Sequence, residues 1–291
     1  MSVVVVALAP ATLADNPNIG EQVRIDVGGG PHAANETTAS ASELFPLRVV
    51  AGWNDYREAG LIRSAFSLSF DGGQTWSDFL LRPPPPHGAT IEGDPMVAHD
   101  DRTGTLWAGA ISFNSQGGIY VARLDPGDTE LQPAVMAEDG SVDKGWMAAG
   151  PRPAELNSTR LYCAYNLGII WSDDMGDTWT NPVSLASGIG FLPRVGPQGE
   201  VYVAYWDYGN GVKLKRSLNG GQSFTTHTIA IRMDVWGTQD GSRFPGNFRV
   251  PSLSYLDVDP NDGTLYAVYF DTTNIVNGQR NVDLYFTKST D

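Results

Sequence analysis

Apolar residues along this chain fall in short runs and never in the long i, i+3, i+4, i+7 stripes of an amphipathic helix. Five runs share one form: Val49-Val50-Ala51-Gly52-Trp53-Asn54-Asp55, Thr105-Leu106-Trp107-Ala108-Gly109-Ala110, Leu161-Tyr162-Cys163-Ala164-Tyr165-Asn166, Val201-Tyr202-Val203-Ala204-Tyr205-Trp206-Asp207 and Leu265-Tyr266-Ala267-Val268-Tyr269-Phe270-Asp271. Each carries aromatic residues, four of the five carry β-branched ones, most close on Asn or Asp, and several follow a turn signal such as Asn261-Asp262-Gly263. The pattern predicts short strands that serve as inner strands of repeated sheets. Gln22-Val23-Arg24-Ile25-Asp26-Val27 alternates, and it predicts a further strand that pairs with the last sheet and closes the ring.

Downstream of these runs a turn recurs. It reads Ser69-Phe70-Asp71-Gly72-Gly73-Gln74-Thr75-Trp76, then Ser172-Asp173-Asp174-Met175-Gly176-Asp177-Thr178-Trp179, and more weakly Ser217-Leu218-Asn219-Gly220-Gly221-Gln222-Ser223-Phe224. Ser289-Thr290-Asp291 reads as a fourth copy cut after its third position. Ser and Asp side chains bond the amides of such a turn, Gly takes its positive φ, and Trp or Phe plugs it against the strands. Together the two repeats mark blades at about 35–80, 93–135, 143–183, 190–228 and 248–291. In the second blade Tyr120 to Asp128 stands where the turn would be. The expected fold is all-β: a β-propeller of four-stranded blades, since radial repetition leaves only short protected edges. Five blades ending inside a turn suggest a protein of six or seven when complete. Residues 20–291 are assigned to the propeller; residues 1–19 read as a clipped secretion signal or linker, or as an ordinary N-terminal strand.

Composition agrees with many strands and tight turns: 33 Gly, 19 Pro, 41% hydrophobic and only 18% charged residues. A net charge of −14 with no basic stripe argues against nucleic acid as a partner. No segment has the roughly 18 apolar residues of a membrane-spanning helix. The single cysteine, Cys163, excludes an internal disulfide and reads as a buried strand residue.

With its repeated turns, the chain resembles the sialidase superfamily of Asp-box, or bacterial neuraminidase repeat, propellers, over about residues 20–291. The resemblance implies a secreted, periplasmic or cell-surface protein and places the Asp box at the blade periphery, so Asp71 and Asp174 are not catalytic candidates. It also implies three arginines around a sugar carboxylate, a Tyr–Glu nucleophile and an aspartate acid/base. The match is incomplete. No Arg-Ile-Pro precedes the first box, the loop at Glu58 offers no aspartate, and the nearest relative of the motif is Phe248-Arg249-Val250-Pro251 in the fifth blade.

Segments expected to meet on the propeller axis begin with Asn35-Glu36, Glu92-Gly93-Asp94-Pro95, Asp143-Lys144-Gly145-Trp146, Pro193-Arg194 and Arg249-Val250-Pro251, joined by Trp53 to Arg57 and by Trp206-Asp207-Tyr208. Carboxylates, arginines and aromatics on one face suit a sugar: rings stack on it, arginines grip an acidic group, and two carboxylates share acid and base work. Asp94 and Glu36, with Asp55 behind them, are the candidates for proton transfer. Arg57, Arg194 and Arg249 are the expected anion contacts, with Trp53, Tyr56 and Asp143 as further substrate contacts; convergence of the three arginines on one pocket beside a carboxylate would favour the enzyme or acidic-glycan reading, and splaying into inter-blade hydrogen bonds would count against it. Each also has a plain structural reading as a turn cap or an inter-blade tie. His32, His87, His99 and His227 show no metal-ligand spacing, so no cofactor is expected. Asp100-Asp101 and Asp257, Asp259 and Asp262 fit structural calcium or simple turns equally well. The functional expectation is sialidase-like chemistry, hydrolase or lyase, on sialic acid or another acidic glycan. The alternatives are a non-catalytic glycan- or protein-binding propeller and a structural module.

Overall fold

A computed structural model describes residues 22–58, 61–84, 90–113, 117–208, 210–231 and 253–289. Five antiparallel sheets follow one another along the chain, each a simple meander. The first holds β1 (Ala34–Ala41), β2 (Val49–Asp55), β3 (Arg63–Ser69) and β4 (Ser77–Leu80). The second holds β5 (Met96–His99), β6 (Leu106–Ser112), β7 (Gly118–Leu124) and β8 (Val135–Asp139). The third has β9 (Trp146–Arg152), β10 (Glu155–Tyr165) and β11 (Gly168–Ser172), extended by a lone bridge between Ile169 and Val183. The fourth has β12 (Ile189–Val195), β13 (Val201–Asp207), β14 (Gly211–Ser217) and β15 (Thr225–Ile231), and the fifth β16 (Tyr255–Val258), β17 (Leu265–Val276) and β18 (Gln279–Ser289). Among the described residues there is no helix, and so none long and apolar enough to cross a membrane.

The five apolar runs are the second strands β2, β6, β10, β13 and β17, one place outward from the inner position expected of them. Their continuous hydrophobicity follows from burial on both faces, which removes the polar half of the usual alternation. Along β10, Leu161, Cys163 and Tyr165 face the second blade and pack with Met96, Trp107 and Ile111. Tyr162 and Ala164 face the fourth blade and pack with Phe191, Val201 and Val203. Similar layers lie between the first and second blades (Val50 and Phe66 against Leu106 and Tyr120) and between the fourth and fifth (Leu192 and Tyr202 against Leu256 and Leu265). Four apolar layers between five sheets make the β-propeller. Cys163 lies 3.7 Å from the Met96 sulfur, and burial raises the pKa of its thiol.

Each recurring turn is held by its own side chains. Ser69 Oγ accepts from Gly73 N at 2.8 Å, Asp71 Oδ1 from Thr75 N at 2.9 Å, and Asp71 Oδ2 from the Thr75 hydroxyl at 2.6 Å. Ser172, Asp174 and Thr178 repeat these bonds. In the third turn Asn219 reverses the last one, its amide donating to Ser223 Oγ at 2.8 Å. The turns also tie blades together. The Met175 carbonyl accepts from Trp107 Nε1 of the second blade at 2.9 Å, and the Gly220 carbonyl from Arg160 of the third, also at 2.9 Å.

Residues 22–26 take no strand conformation, contrary to expectation. Arg24 bonds Asp26 locally and Gly28 N donates to Asp78 of β4, so this stretch lies against the first blade. Residues 1–19, Arg249 with its Phe-Arg-Val-Pro segment, His87, and the last two residues of the fourth turn lie outside the described residues.

Candidate functional site

The innermost strands β1, β5, β9, β12 and β16 surround a cavity of about 900 Å³. In four blades the entry to this strand carries the same irregularity, two residues opposing one on the neighbouring strand. Residues 36–37 fall between the pairs Asn35–Asn54 and Thr38–Gly52, and residues 190–191 between Ile189–Trp206 and Leu192–Ala204. Residues 94–95 fall between the Gly93–Ile111 bond and the pair Met96–Gly109. Residues 144–145 fall between the Asp143–Asn166 bond and the pair Trp146–Ala164. These are β-bulges whose first residue is left-handed, a place glycine normally takes. Gly190 fills it in the fourth blade at φ 71°, but the others are Glu36 (52°), Asp94 (46°) and Lys144 (51°). A left-handed side chain costs about 1 kcal/mol or more, and such strain gathers at functional sites.

The three charged side chains meet. Lys144 Nζ donates to Glu36 Oε2 at 3.0 Å and lies 3.6 Å from Asp94 Oδ1, while Lys144 N donates to Asp94 Oδ2 at 2.9 Å. The ammonium also sits 5.4 Å from the centre of the Trp146 ring. Burial pushes the Asp94 carboxyl up to about 6; Lys144 pulls it down, and Glu36, in hydrogen-bonding contact, pushes it up again. Burial works against the charge of Lys144, yet Asp94 and Glu36 outweigh it and hold the pKa above its ordinary value. The result is a proton-sharing carboxyl pair clamped by one cation. Asp94 at about 6 can both give and take a proton near neutrality.

Around this mouth stand aromatic rings. Phe113, 57% exposed, lies over Gly93 beside Asp94, and its backbone N–H is held by Glu92 Oε2 at 3.1 Å. Tyr208, 46% exposed, is close enough to Asp143 that burial and this carboxylate together raise its phenol pKa. Tyr56 accepts from Asn35 Nδ2 at 3.4 Å. These three follow the second strand of their blades at the same register position, four residues past Gly52, Gly109 and Ala204.

Of the residues singled out in the sequence, Glu36, Asp94 and Asp143 line the cavity at this mouth. Of the two described arginines, neither joins them there. Arg57 is spent on Asp55 (2.8 Å) and Asp78 (2.6 Å), which raise its pKa, and lies on the outer part of the first blade. Asp55 also accepts from the indole of Trp53, itself 1% exposed. Burial opposes the charge of Asp55, but the bonds from Arg57 and Trp53 hold its pKa low, which suits a fixed counter-ion and not a proton carrier. Arg194 lines the cavity four residues beyond Gly190, roughly 13 Å along the strand, and bonds Asp257 of the fifth blade at 3.2 Å. Pro193-Arg194 was expected to begin the segment reaching the axis, whereas the register places Gly190 at the position equivalent to Asp94.

Sequence reasoning passed over Lys144 in favour of Asp143, and it passed over Phe113. The signal for Lys144 was its place two residues before the inner strand, matching Asp94. The calcium candidates are otherwise engaged: Asp100 with Arg102 and Thr103, Asp257 with Arg194, Asp259 with Asn261.

No family model matches the chain, and no curated protein matches it. Solved structures do. The K499G mutant of NanB sialidase from Streptococcus pneumoniae superposes with a TM-score of 0.52 at 10% identity, covering 89% of this chain and 60% of that one. Trypanosoma rangeli sialidase in complex with the inhibitor DANA gives 0.50 at 14% identity, covering 88% and 47%. The same sialidase with 2,3-difluorosialic acid gives 0.50 at 17% identity, covering 88% and 46%. The chain thus spans about half the length of these proteins. At such identities the likeness concerns architecture: this chain has the fold of the sialidase β-propellers.

Proposed function

We propose that the chain engages glycans at the mouth of the central cavity, with Asp94 as the proton donor of a glycoside hydrolase and Glu36 sharing its proton. One observation carries this reading: three consecutive blades place charged residues at a backbone position that disfavours them, and the three side chains meet. Gly190 serves the fourth blade at the same backbone position, so the bulge itself does not require a charged side chain there. Phe113 and Tyr208 supply ring faces for a sugar beside them. The likeness to sialidases agrees with glycan chemistry and does not fix the sugar. A protein of this kind would work where glycans are exposed, outside the cytoplasm.

A non-catalytic binding propeller is the second reading. It is favoured by the contact between Glu36 and Asp94, because a retaining glycosidase sets its two carboxyls about 5 Å apart and an inverting one further. Aryl glycosides, with sialosides as one arm, assayed against the protein and its Asp94→Asn variant separate the two. Turnover that falls at least a hundredfold in the variant while binding persists supports the hydrolase. Binding without turnover leaves the lectin-like reading, and neither binding nor turnover with any sugar rejects both.

A further inference from the structure

We propose that the sugar taken at this mouth carries no carboxylate: it is a neutral or amino sugar, and not the acidic glycan that the sequence leads one to expect. The inference rests on the reading of the mouth as a glycan site and deepens it. Among the described residues, three cations line the cavity, and each already has acidic partners. Lys144 is shared by Glu36 and Asp94, Arg102 by both oxygens of Asp100, and Arg194 lies against Asp257. Arg102 is further committed to the carbonyls of Leu156 and Ser158 and to the Thr159 hydroxyl. Arg57, which could have gripped an anion, is locked between Asp55 and Asp78.

Carboxylates are in surplus: Glu36, Glu43, Asp94, Asp100, Asp101, Asp143 and Asp257 all line the same cavity. Asp143 stands at the mouth with no cation against it among the described residues. The mouth therefore presents acceptors and negative charge. Hydroxyl and ammonium groups satisfy such a site, whereas a carboxylate would be brought among like charges, with no unshared cation among the described residues to meet it.

The test measures binding of methyl glycosides to the full chain by calorimetry at pH 7 and low salt. The probes are N-acetylneuraminic acid, glucuronic acid, galactose, N-acetylglucosamine and glucosamine. The expected result is that a neutral or amino sugar binds at least tenfold tighter than either carboxylated one. Glucosamine binding should weaken severalfold in Glu36→Gln, an exposed position whose change spares the fold, and in 0.5 M salt. Tighter binding of a carboxylated sugar, lost in Lys144→Met, would overturn the inference while leaving the glycan site standing. A different result separates the failure of the site itself: sugars that bind no more weakly to Phe113→Ala than to the parent protein bind elsewhere, and then both ideas fall.

Discussion

Asp94 concentrates the chemistry of the site in one carboxyl, and its titration makes the first prediction. Its folded pKa of about 6 lies above that of an unfolded aspartate. The stability it contributes is therefore complete below about pH 4 and is lost as the pH rises through about 6. Proton donation should decline over the same upper range. A carboxyl-carbon NMR titration should place Asp94 near 6, with Lys144→Met moving it higher by removing the cation that favours the charged form. A midpoint at or below 4 would contradict the burial on which its proposed role as proton donor depends. Lys144→Met should also cost about 1–2 kcal/mol in urea denaturation, discounted for the exposure of Glu36, since it removes the cation shared by the two acidic groups. Asp94 and Glu36 were legible in the sequence because both introduce an inner strand. Arg57 was misread because a sequence shows that an arginine follows an aspartate and an aromatic, and not that Asp78, on another strand, will hold it.

At the scale of the element, the recurring turn and the bulge make opposite use of polar residues. The turn spends them on its own backbone, and it was fully readable because every partner lies within eight residues. Asp71, bonded first by the Thr75 hydroxyl, is held down to about 2. Its contribution is present above the unfolded aspartate range and is lost as the pH falls through about 2, the reverse of Asp94. The Asn219 turn has no carboxylate and should not respond. Replacing Asp174 by alanine leaves the Thr178 amide and hydroxyl without their acceptor and should cost about 1–2 kcal/mol. Asp174→Asn should cost less, since Asn219 shows the amide performing the same task. Equal losses in the two variants, measured by urea denaturation, would refute this account of the turn. The bulge, by contrast, was largely hidden in the sequence: its existence depends on which residues face each other across two strands, and while Gly190 is a local hint of it, Glu36, Asp94 and Lys144 give none.

Across the whole molecule, stability resides between blades as much as within them. The two-sided apolar strands announced themselves by composition, which is why the propeller could be read before any pairing was known. The ties at the rim could not, because they join residues about 60 positions apart. Arg160 is the clearest: it bonds Asp173 at 2.7 and 2.8 Å, donates to the Gly220 carbonyl of the next blade, and lies 5.2 Å from the centre of the Trp171 ring. Arg160→Ala should lower stability by about 2 kcal/mol, discounted for the partial exposure of Asp173, and Arg160→Lys should recover little, because an ammonium lacks the planar fork. A lysine variant as stable as the parent in thermal denaturation would show the two-pronged contact to be dispensable.

Because the left-handed position recurs at the head of successive inner strands and tolerates glutamate, aspartate, lysine or glycine, the rim behaves as a set of interchangeable sockets on a fixed frame. On the proposed reading of the mouth, a single codon change at one socket would alter what it recognises without touching the apolar layers that keep the blades together. At Gly190 a Cβ would come within 2.6 Å of Leu253, so a side chain in this socket would first have to displace that leucine. New specificities in this architecture can thus arise by decorating the rim one residue at a time, while the scaffold that carries it is inherited unchanged.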